Sequence, residues 1–469
     1  MGMNVLFIYT NIDGTHDETY SFGLASIVAV TKQQGYTARV FIVKSRAEYS
    51  LLYDVIREFL PSVIAFSSVS SQFRFIKEIA ESIKERFPQI ILVCGGVHTT
   101  IFPNSLQECH ALYGVFRGES EYAFLEFLDR FAQGRPYTDS PNFVYRSGDT
   151  IALNPLNPLI SNLDSLPFPD KTTYPYIETV SQNGIAPFLF SRGCPFSCSY
   201  CSNHAIAHVY GMKTNRPRYR SPESCIQEIE ETLRLFPGIT TVWIMDDIFG
   251  LDKNWRTEFC RKYKERISIK FDCLLRANVV DENFIQLLKE AGCYRVSFGV
   301  ESGNEYIRNE VMNRKMSNEQ IIRAFELCHR HGLETNAINI IGIPGETEEM
   351  IWDTVRLNRT IKPTTSGVNI FYPYRGTKLG DSCFAQGLVD EKRYYDFTCE
   401  RRETILAYPE QLKERLQYYY KNWDILIYPY DLKRRIKSIL MKNPALWEGI
   451  RRVKRSVIGQ RGRSVGEGI

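Results

Sequence analysis

Three cysteines, Cys194, Cys198 and Cys201, stand at CxxxCxxC spacing in the stretch SRGCPFSCSYCSN, directly after a short apolar run at residues 186–190. Thiolates are soft ligands that select zinc, copper(I) or an iron–sulfur cluster. Structural zinc takes four protein ligands, and neither a fourth nearby cysteine nor an HxxxH pair set apart from the triad supplies them. A 4Fe-4S cluster with one open iron fits three thiolates better. The competing reading is a Cys/His zinc site that recruits His204 and His208, although zinc-binding spans usually fold between two separated ligand pairs.

With the aromatic Tyr200 just ahead of the last cysteine, this arrangement resembles the CxxxCxΦC signature of the radical SAM superfamily. The resemblance implies that the open iron chelates S-adenosylmethionine (SAM). An electron from a donor such as flavodoxin or ferredoxin then expels a 5'-deoxyadenosyl radical. Such a site needs acceptors for the SAM ammonium, a cation for its carboxylate and acceptors for its ribose hydroxyls. At the positions the family uses, Asp246 and Asp247 in IMDDIF match the ammonium site and Glu301 in FGVESG the ribose site. Arg276 in LLRAN matches the carboxylate site, and a guanidinium suits that planar anion. Gly342 and Gly345 in NIIGIPGET are expected to let the backbone read adenine, with Tyr200 packed nearby. Each also has an ordinary reading: an acid pair at a strand end often caps the next helix, and GIPGE is a common turn. The sequence names no residue that acts on the substrate itself.

Elements must bring these residues together, and the pattern supplies them. Six strand and helix pairs follow one another, with strands expected near residues 186–192, 240–246, 269–274, 295–300, 335–341 and 366–372. Six such units make the partial (β/α)6 TIM barrel of the radical SAM family, and barrel sites lie at the carboxyl ends of the strands. The cysteine loop follows the first strand, at that end.

Residues 1–150 alternate short apolar runs with helical patterns, which implies βαβ units and a parallel sheet covered on both faces. Ligands of such sheets bind at the carboxyl ends of the strands, where small and polar residues cluster. The order SFGLASIVA, SSVSS, GGVH and RGESEYAFLEFL resembles the Rossmann-like (flavodoxin-like) cobalamin-binding domain that precedes the barrel in one large radical SAM subgroup. The resemblance implies cobalamin contacts from Thr10, Asn11 and Asp13, from Ser67, Ser68 and Ser70, from Gly95, Gly96 and Val97, and from Gly118 and Glu119. The chain departs from the DxHxxG motif that supplies a histidine to cobalt, because Asp13 and His16 stand in DGTH. His16 is therefore expected to be a loop residue, and the cobalt's lower face to be left to water or to a side chain of that loop.

The expected organisation is α/β throughout: a cobalamin-binding domain at 1–150, a connector at 151–185 containing LDSLPFPD, a radical SAM partial barrel at 186–385, and a small helical region at 386–469. The subgroup's commonest chemistry is methylation of an unactivated carbon through methylcobalamin. A cyclase, ring-rearranging enzyme or oxidoreductase with the same cofactors is the alternative, and a cobalamin- or zinc-binding regulatory protein is the remote one.

Composition excludes other classes. Of 469 residues, 43% are hydrophobic and 24% charged, as in globular proteins. No apolar run reaches the ~18 residues of a membrane span, and no signal peptide is apparent. Twelve scattered cysteines do not make a secreted disulfide scaffold, so the cytoplasm is the expected compartment. The net charge is only +4, yet residues 432–463 carry eleven Lys or Arg against one acid, Glu448, with Trp447 and several aliphatics between them. That composition suits an amphipathic helix on an anionic membrane surface, which would favour a lipid-like over a soluble small-molecule substrate. A solvated helix, a flexible tail and a nucleic-acid contact compete with it, and no nucleic-acid partner is expected. Tyr394, Tyr395 and Tyr418 to Tyr420 are candidates to face substrate or to pack in a core.

Overall fold

The computed structural model describes residues 3–14, 20–173, 176, 184–396, 399–432, 434 and 436. His16, the side chain of Tyr395 and the tail beyond 436, Trp447 included, lie outside the described residues.

Five parallel strands open the chain: β1 (Asn4–Thr10), β2 (Thr37–Val43), β3 (Val63–Ser67), β4 (Ile91–Gly95) and β5 (Gly114–Phe116). An antiparallel hairpin, β6 (Phe143–Ser147) and β7 (Thr150–Leu153), extends the sheet from β5. The order is β2-β1-β3-β4-β5-β6-β7. Val5, Leu6, Phe7 and Ile8 are all buried, because helices cover both faces and alternate side chains enter different cores. Phe22–Gln33 and Glu121–Ala132 close one face, and Tyr49–Phe59 and Phe73–Arg86 the other. The connections diverge on either side of β1, which opens a crevice beyond the carboxyl ends of β1 and β3.

The second sheet comprises β8 (Ile185–Phe188), β11 (Thr241–Ile244), β12 (Lys270–Leu275), β13 (Cys293–Glu301), β14 (Glu334–Ile341) and β15 (Thr365–Ile370). All are parallel and adjacent in that order, and β8 does not pair with β15, so the half-barrel stays open. Two short strands, β9 (Ser191–Arg192) and β10 (Arg218–Tyr219), form a separate antiparallel ribbon. The apolar run FLFSR thus breaks where one strand was expected. The cause is Asp246, whose carboxylate takes the N–H groups of Phe190 at 2.7 Å and Ser191 at 3.2 Å and so turns the chain out of the ladder.

Helix Glu410–Ile427 covers the β15 edge with a stripe of Leu416, Tyr419, Trp423, Leu426 and Ile427, the spacing of one helical face. Tyr419 is core there, its hydroxyl donating to Glu348 at 2.7 Å, whereas Tyr418 is exposed. Tyr394 is buried and stacks on Tyr372, with ring centroids 5.6 Å apart.

Candidate functional site

The cysteine loop leaves β9 through Gly193, whose φ of 103° only glycine adopts freely, and enters helix Ser202–Val209 directly after Cys201. It is pinned on both sides. Ser199 donates its N–H to Met312 at 3.0 Å and its hydroxyl to Val311 at 2.7 Å, and Leu379 donates to the Ser199 carbonyl at 2.8 Å. Asn313 donates to the Ser197 carbonyl at 2.8 Å. None of the three cysteines is in a disulfide. Burial pushes the Cys194 thiol up to about 11 and Cys201 up to about 12, and the neighbouring sulfurs add to both shifts. Metal binding here must displace protons. Among the described residues no three His, Cys, Asp or Glu side chains surround a single point for one ion. A cluster makes a different demand, since each cysteine bonds its own iron.

Two guanidiniums converge on Cys198: Arg276 Nη1 lies 3.6 Å and Arg314 Nη1 3.8 Å from its sulfur. Arg276 also covers the Phe196 ring at 3.8 Å and donates to Asn278. Arg314 is anchored by Glu301 at 3.2 Å, by the Tyr200 hydroxyl at 2.7 Å and by the Gly299 carbonyl at 2.7 Å. Glu301 ends β13 at φ 64°, left-handed for a non-glycine residue, beside a register shift against β14. Strain of that kind concentrates at ligand sites. Glu301 Oε2 is buried with no partner, an oxygen available to a hydroxyl.

The expected acid pair divides its labour. Asp246 is fully buried and spends both oxygens on Phe190 and Ser191, the Ser191 hydroxyl included at 2.7 Å, and burial lifts it to about 6. Asp247 faces the cavity described below and is within electrostatic reach of Cys194 and Cys201. Its side chain is exposed to that cavity; the enclosing protein walls raise its carboxyl, while a hydrogen bond from Asn203 opposes the rise.

Gly342 and Gly345 lie in a turn at φ 75° and 82°. Glu346, which sequence reasoning passed over, organises it by accepting the N–H of Gly342 at 2.6 Å and of Ile343 at 3.3 Å. Its Oε1 is buried without a partner and burial lifts the carboxyl to about 8. Beyond β15, Tyr374 donates to Glu400 and accepts from Arg401 at 2.9 Å. Arg401 is within electrostatic reach of Glu301, and Glu400 of Tyr9 at the end of β1. This group was also missed, its only sequence trace being the aromatics of FYPYRG.

A cavity of about 410 Å³ lies between the two sheets. Ser67, Gly95, Gly96, Val97, Gly118 and Glu119 line one side; Gly193, Asn203 and Asp247 line the other. Its floor is apolar, from Phe7, Ala65, Val93 and Phe124, and connector residues Leu159, Leu163 and Leu166 close it. Of the remaining cobalamin candidates, Asn11 donates its backbone N–H to Val43 and the Asp13 backbone carbonyl accepts from Arg402 at 2.6 Å, while the Thr10 hydroxyl is buried without a partner. Ser70 meets His98 Nδ1 at 3.0 Å. Ser68 packs under Gly96, where a Cβ would lie 2.5 Å from the Ser68 carbonyl oxygen.

The model of the radical SAM superfamily matches residues 188–357, and that of the B12 binding domain matches residues 12–128. The chain carries a B12 binding domain and a radical SAM domain. It is 27% identical over 381 residues to an uncharacterized methyltransferase, PH0819, of Pyrococcus horikoshii, covering 80% of this chain and 81% of that one. It is 26% identical to the anaerobic magnesium-protoporphyrin IX monomethyl ester cyclase of Rubrivivax gelatinosus, covering 94% and 81%. Its fold matches the radical SAM methyltransferase TsrM of Kitasatospora setae, solved with cobalamin and a [4Fe-4S] cluster, with TM-score 0.69, 18% identity and 82% and 78% coverage. The residues present fit both cofactors: three thiols outside any disulfide on a pinned loop, and an apolar-floored cavity at the strand ends.

Proposed function

We propose that this protein is a cobalamin-dependent radical SAM methyltransferase acting on an unactivated carbon. The observation that carries the reading is the shared wall. Asp247 and Gly193 border both the cavity at the B12-domain strand ends and the cysteine loop, so the two cofactor sites open onto each other. When bound, the cluster and SAM would supply a 5'-deoxyadenosyl radical, and cobalamin would supply a methyl group to a carbon that is not nucleophilic enough to attack SAM.

In this reading Cys194, Cys198 and Cys201 hold the cluster. Asp247 accepts from the SAM ammonium, Arg276 meets the SAM carboxylate, and the free oxygen of Glu301 takes a ribose hydroxyl. Tyr200, Gly342 and Gly345 border the adenine, with Glu346 fixing the turn. Ser67, Gly95 to Val97, Gly118 and Glu119 contact cobalamin. The domains run 1–150, 151–185, 186–385 and 386–469. Reduction needs an outside donor of the flavodoxin or ferredoxin kind, in the cytoplasm.

The test is anaerobic reconstitution with iron, sulfide and hydroxocobalamin, followed by incubation with SAM, reductant and host extracts. 5'-Deoxyadenosine should form, and a metabolite should gain the mass of one CH2. Changing all three cysteines to Ala should abolish iron binding and 5'-deoxyadenosine together; a full cluster in that variant would sink the assignment. The second reading, a cyclase or ring-rearranging enzyme, is favoured by the 94% coverage shared with the Rubrivivax cyclase and predicts 5'-deoxyadenosine without a CH2 gain. The basic, Trp-bearing tail supports a peripheral membrane contact and a lipid-like substrate. Salt-sensitive co-sedimentation with phosphatidylglycerol vesicles, lost on ending the chain near Tyr430, is the expected result, and equal negligible binding by both forms would remove that part.

A further inference from the structure

Four charged side chains join the cavity to the cysteine loop, and none has a role in the proposed reaction beyond Glu119 as a cavity contact. The register of the β9–β10 ribbon sets Arg192 directly opposite Arg218. Like charges opposed across a ribbon repel, so this pairing needs anions, and both come from the other domain. The loop after β5 brings Glu119, and the start of helix Glu121–Ala132 brings Glu121. Arg218 grips both Glu119 oxygens, at 2.6 and 3.0 Å. Arg192 reaches Glu121 at 2.6 Å and Glu119 at 3.6 Å, and Ser26 donates to the same Glu121 oxygen at 2.9 Å.

The connector is tied in as well. Ile160 donates its N–H to Glu119 at 2.8 Å and accepts from Arg218 at 2.6 Å. All four charged side chains line the cavity. Arg192 stands two residues before Cys194, and the intervening Gly193 is held so close to Asn215 that a Cβ would lie 2.8 Å from the Asn215 amide oxygen. A shift of Glu121 therefore has a short, stiff path to the first cluster cysteine.

We propose that Arg192 and Glu121 couple the two cofactor sites: cobalamin in the cavity fixes the two glutamates, they fix Arg192, and Arg192 fixes the entry of the cysteine loop. This rests on the proposed function. Coupling of this kind is reciprocal, so a cluster on the loop tightens cobalamin binding to the same degree that cobalamin stabilises the cluster. Arg192 and Glu121 are positioning residues here, acting through the loop and not on substrate.

Equilibrium dialysis of hydroxocobalamin against the cluster-loaded and the iron-free chain measures the coupling. Wild type should bind at least about fivefold tighter with the cluster present. Glu121→Gln and Arg192→Met should each bring that ratio to one. Arg192→Met should also lower the melting temperature, since it leaves the buried Glu121 carboxylate without its cation, and Glu121→Gln should lower it less, since Arg192 is partly exposed and keeps Glu119 at 3.6 Å. The double variant removes both charges and should recover much of the melting temperature, yet its ratio should stay at one. A merely structural ion pair would instead regain the ratio with the stability. As a second readout, the EPR signal of the reduced cluster should change on adding cobalamin in wild type and not in the double variant. A ratio near one in wild type, or one that persists in the double variant, overturns the proposal. A wild type that holds neither iron nor cobalamin would instead overturn the function on which it rests.

Discussion

Glu346 is buried where a carboxylate is costly, yet both of its hydrogen bonds come from backbone N–H groups of the Gly342 turn. Burial wins and lifts it from 4.5 to about 8, so the folded chain holds this proton more tightly than the unfolded one. Its stabilising contribution is full below about pH 4.5 and drains away as pH rises toward 8, by on the order of 1 kcal/mol per pH unit. Glu346→Gln keeps the shape and the acceptor oxygen and abolishes the titration. The variant's melting temperature should therefore gain on the wild type's between pH 5.5 and 8. A difference that stays constant across that range would mean that Glu346 does not titrate there. The cysteine triad and the acids at the strand ends were legible in sequence because their signal is local spacing. Glu346 lies inside the same GIPGE motif but was hidden, because its role is to serve the motif's own backbone. The split between Asp246 and Asp247 was hidden too, since the partners of Asp246 lie 55 and 56 residues earlier in the chain.

At the scale of elements, close approach decides how the loop after β15 meets the B12-binding domain. Gly376 has φ 84°, and a Cβ there would lie 2.3 Å from the carbonyl oxygen of Ile101, in the helix that follows Gly96. Arg375 beside it covers the Phe102 ring at 5.5 Å. Gly376→Ala must push two backbones apart and adopt a left-handed φ, a loss of about 1–3 kcal/mol. We expect a lower melting temperature together with faster proteolysis near this contact, and an unchanged proteolysis pattern would show that the two segments separate easily. The six barrel strands could be read from sequence because apolar runs of strand length alternate with helical periodicity. The ribbon formed by β9 and β10 could not. Two-residue strands carry no periodicity, and what sustains this one is a set of ion pairs spanning 71 and 99 residues of chain.

For the whole molecule, the two sheets share one interior, while the other face of the first sheet packs a core of its own. One apolar cluster runs from Val5, Phe7 and Val93 under the first sheet, through Tyr20 and Tyr176, to Phe188, Ile244 and Phe259 in the barrel. Tyr20 and Tyr176 meet edge to face at 4.8 Å, and their hydroxyls donate to Asp170 and Pro187 on the connector and the first barrel strand. Calorimetry should accordingly record one transition for both domains. A chain ending near residue 150 should be insoluble or bind an apolar dye strongly, whereas a soluble, cooperatively melting fragment would contradict the shared interior.

That continuity also bears on how the protein is made. At roughly 5–20 residues per second, the ribosome releases the first sheet well before Tyr176 and the barrel residues that complete its lower face, which extend to Ile361. For on the order of ten seconds or more a growing chain exposes half of a finished core with nothing to cover it, so chaperone supply during translation should limit the yield of this enzyme more than the stability of the finished fold does.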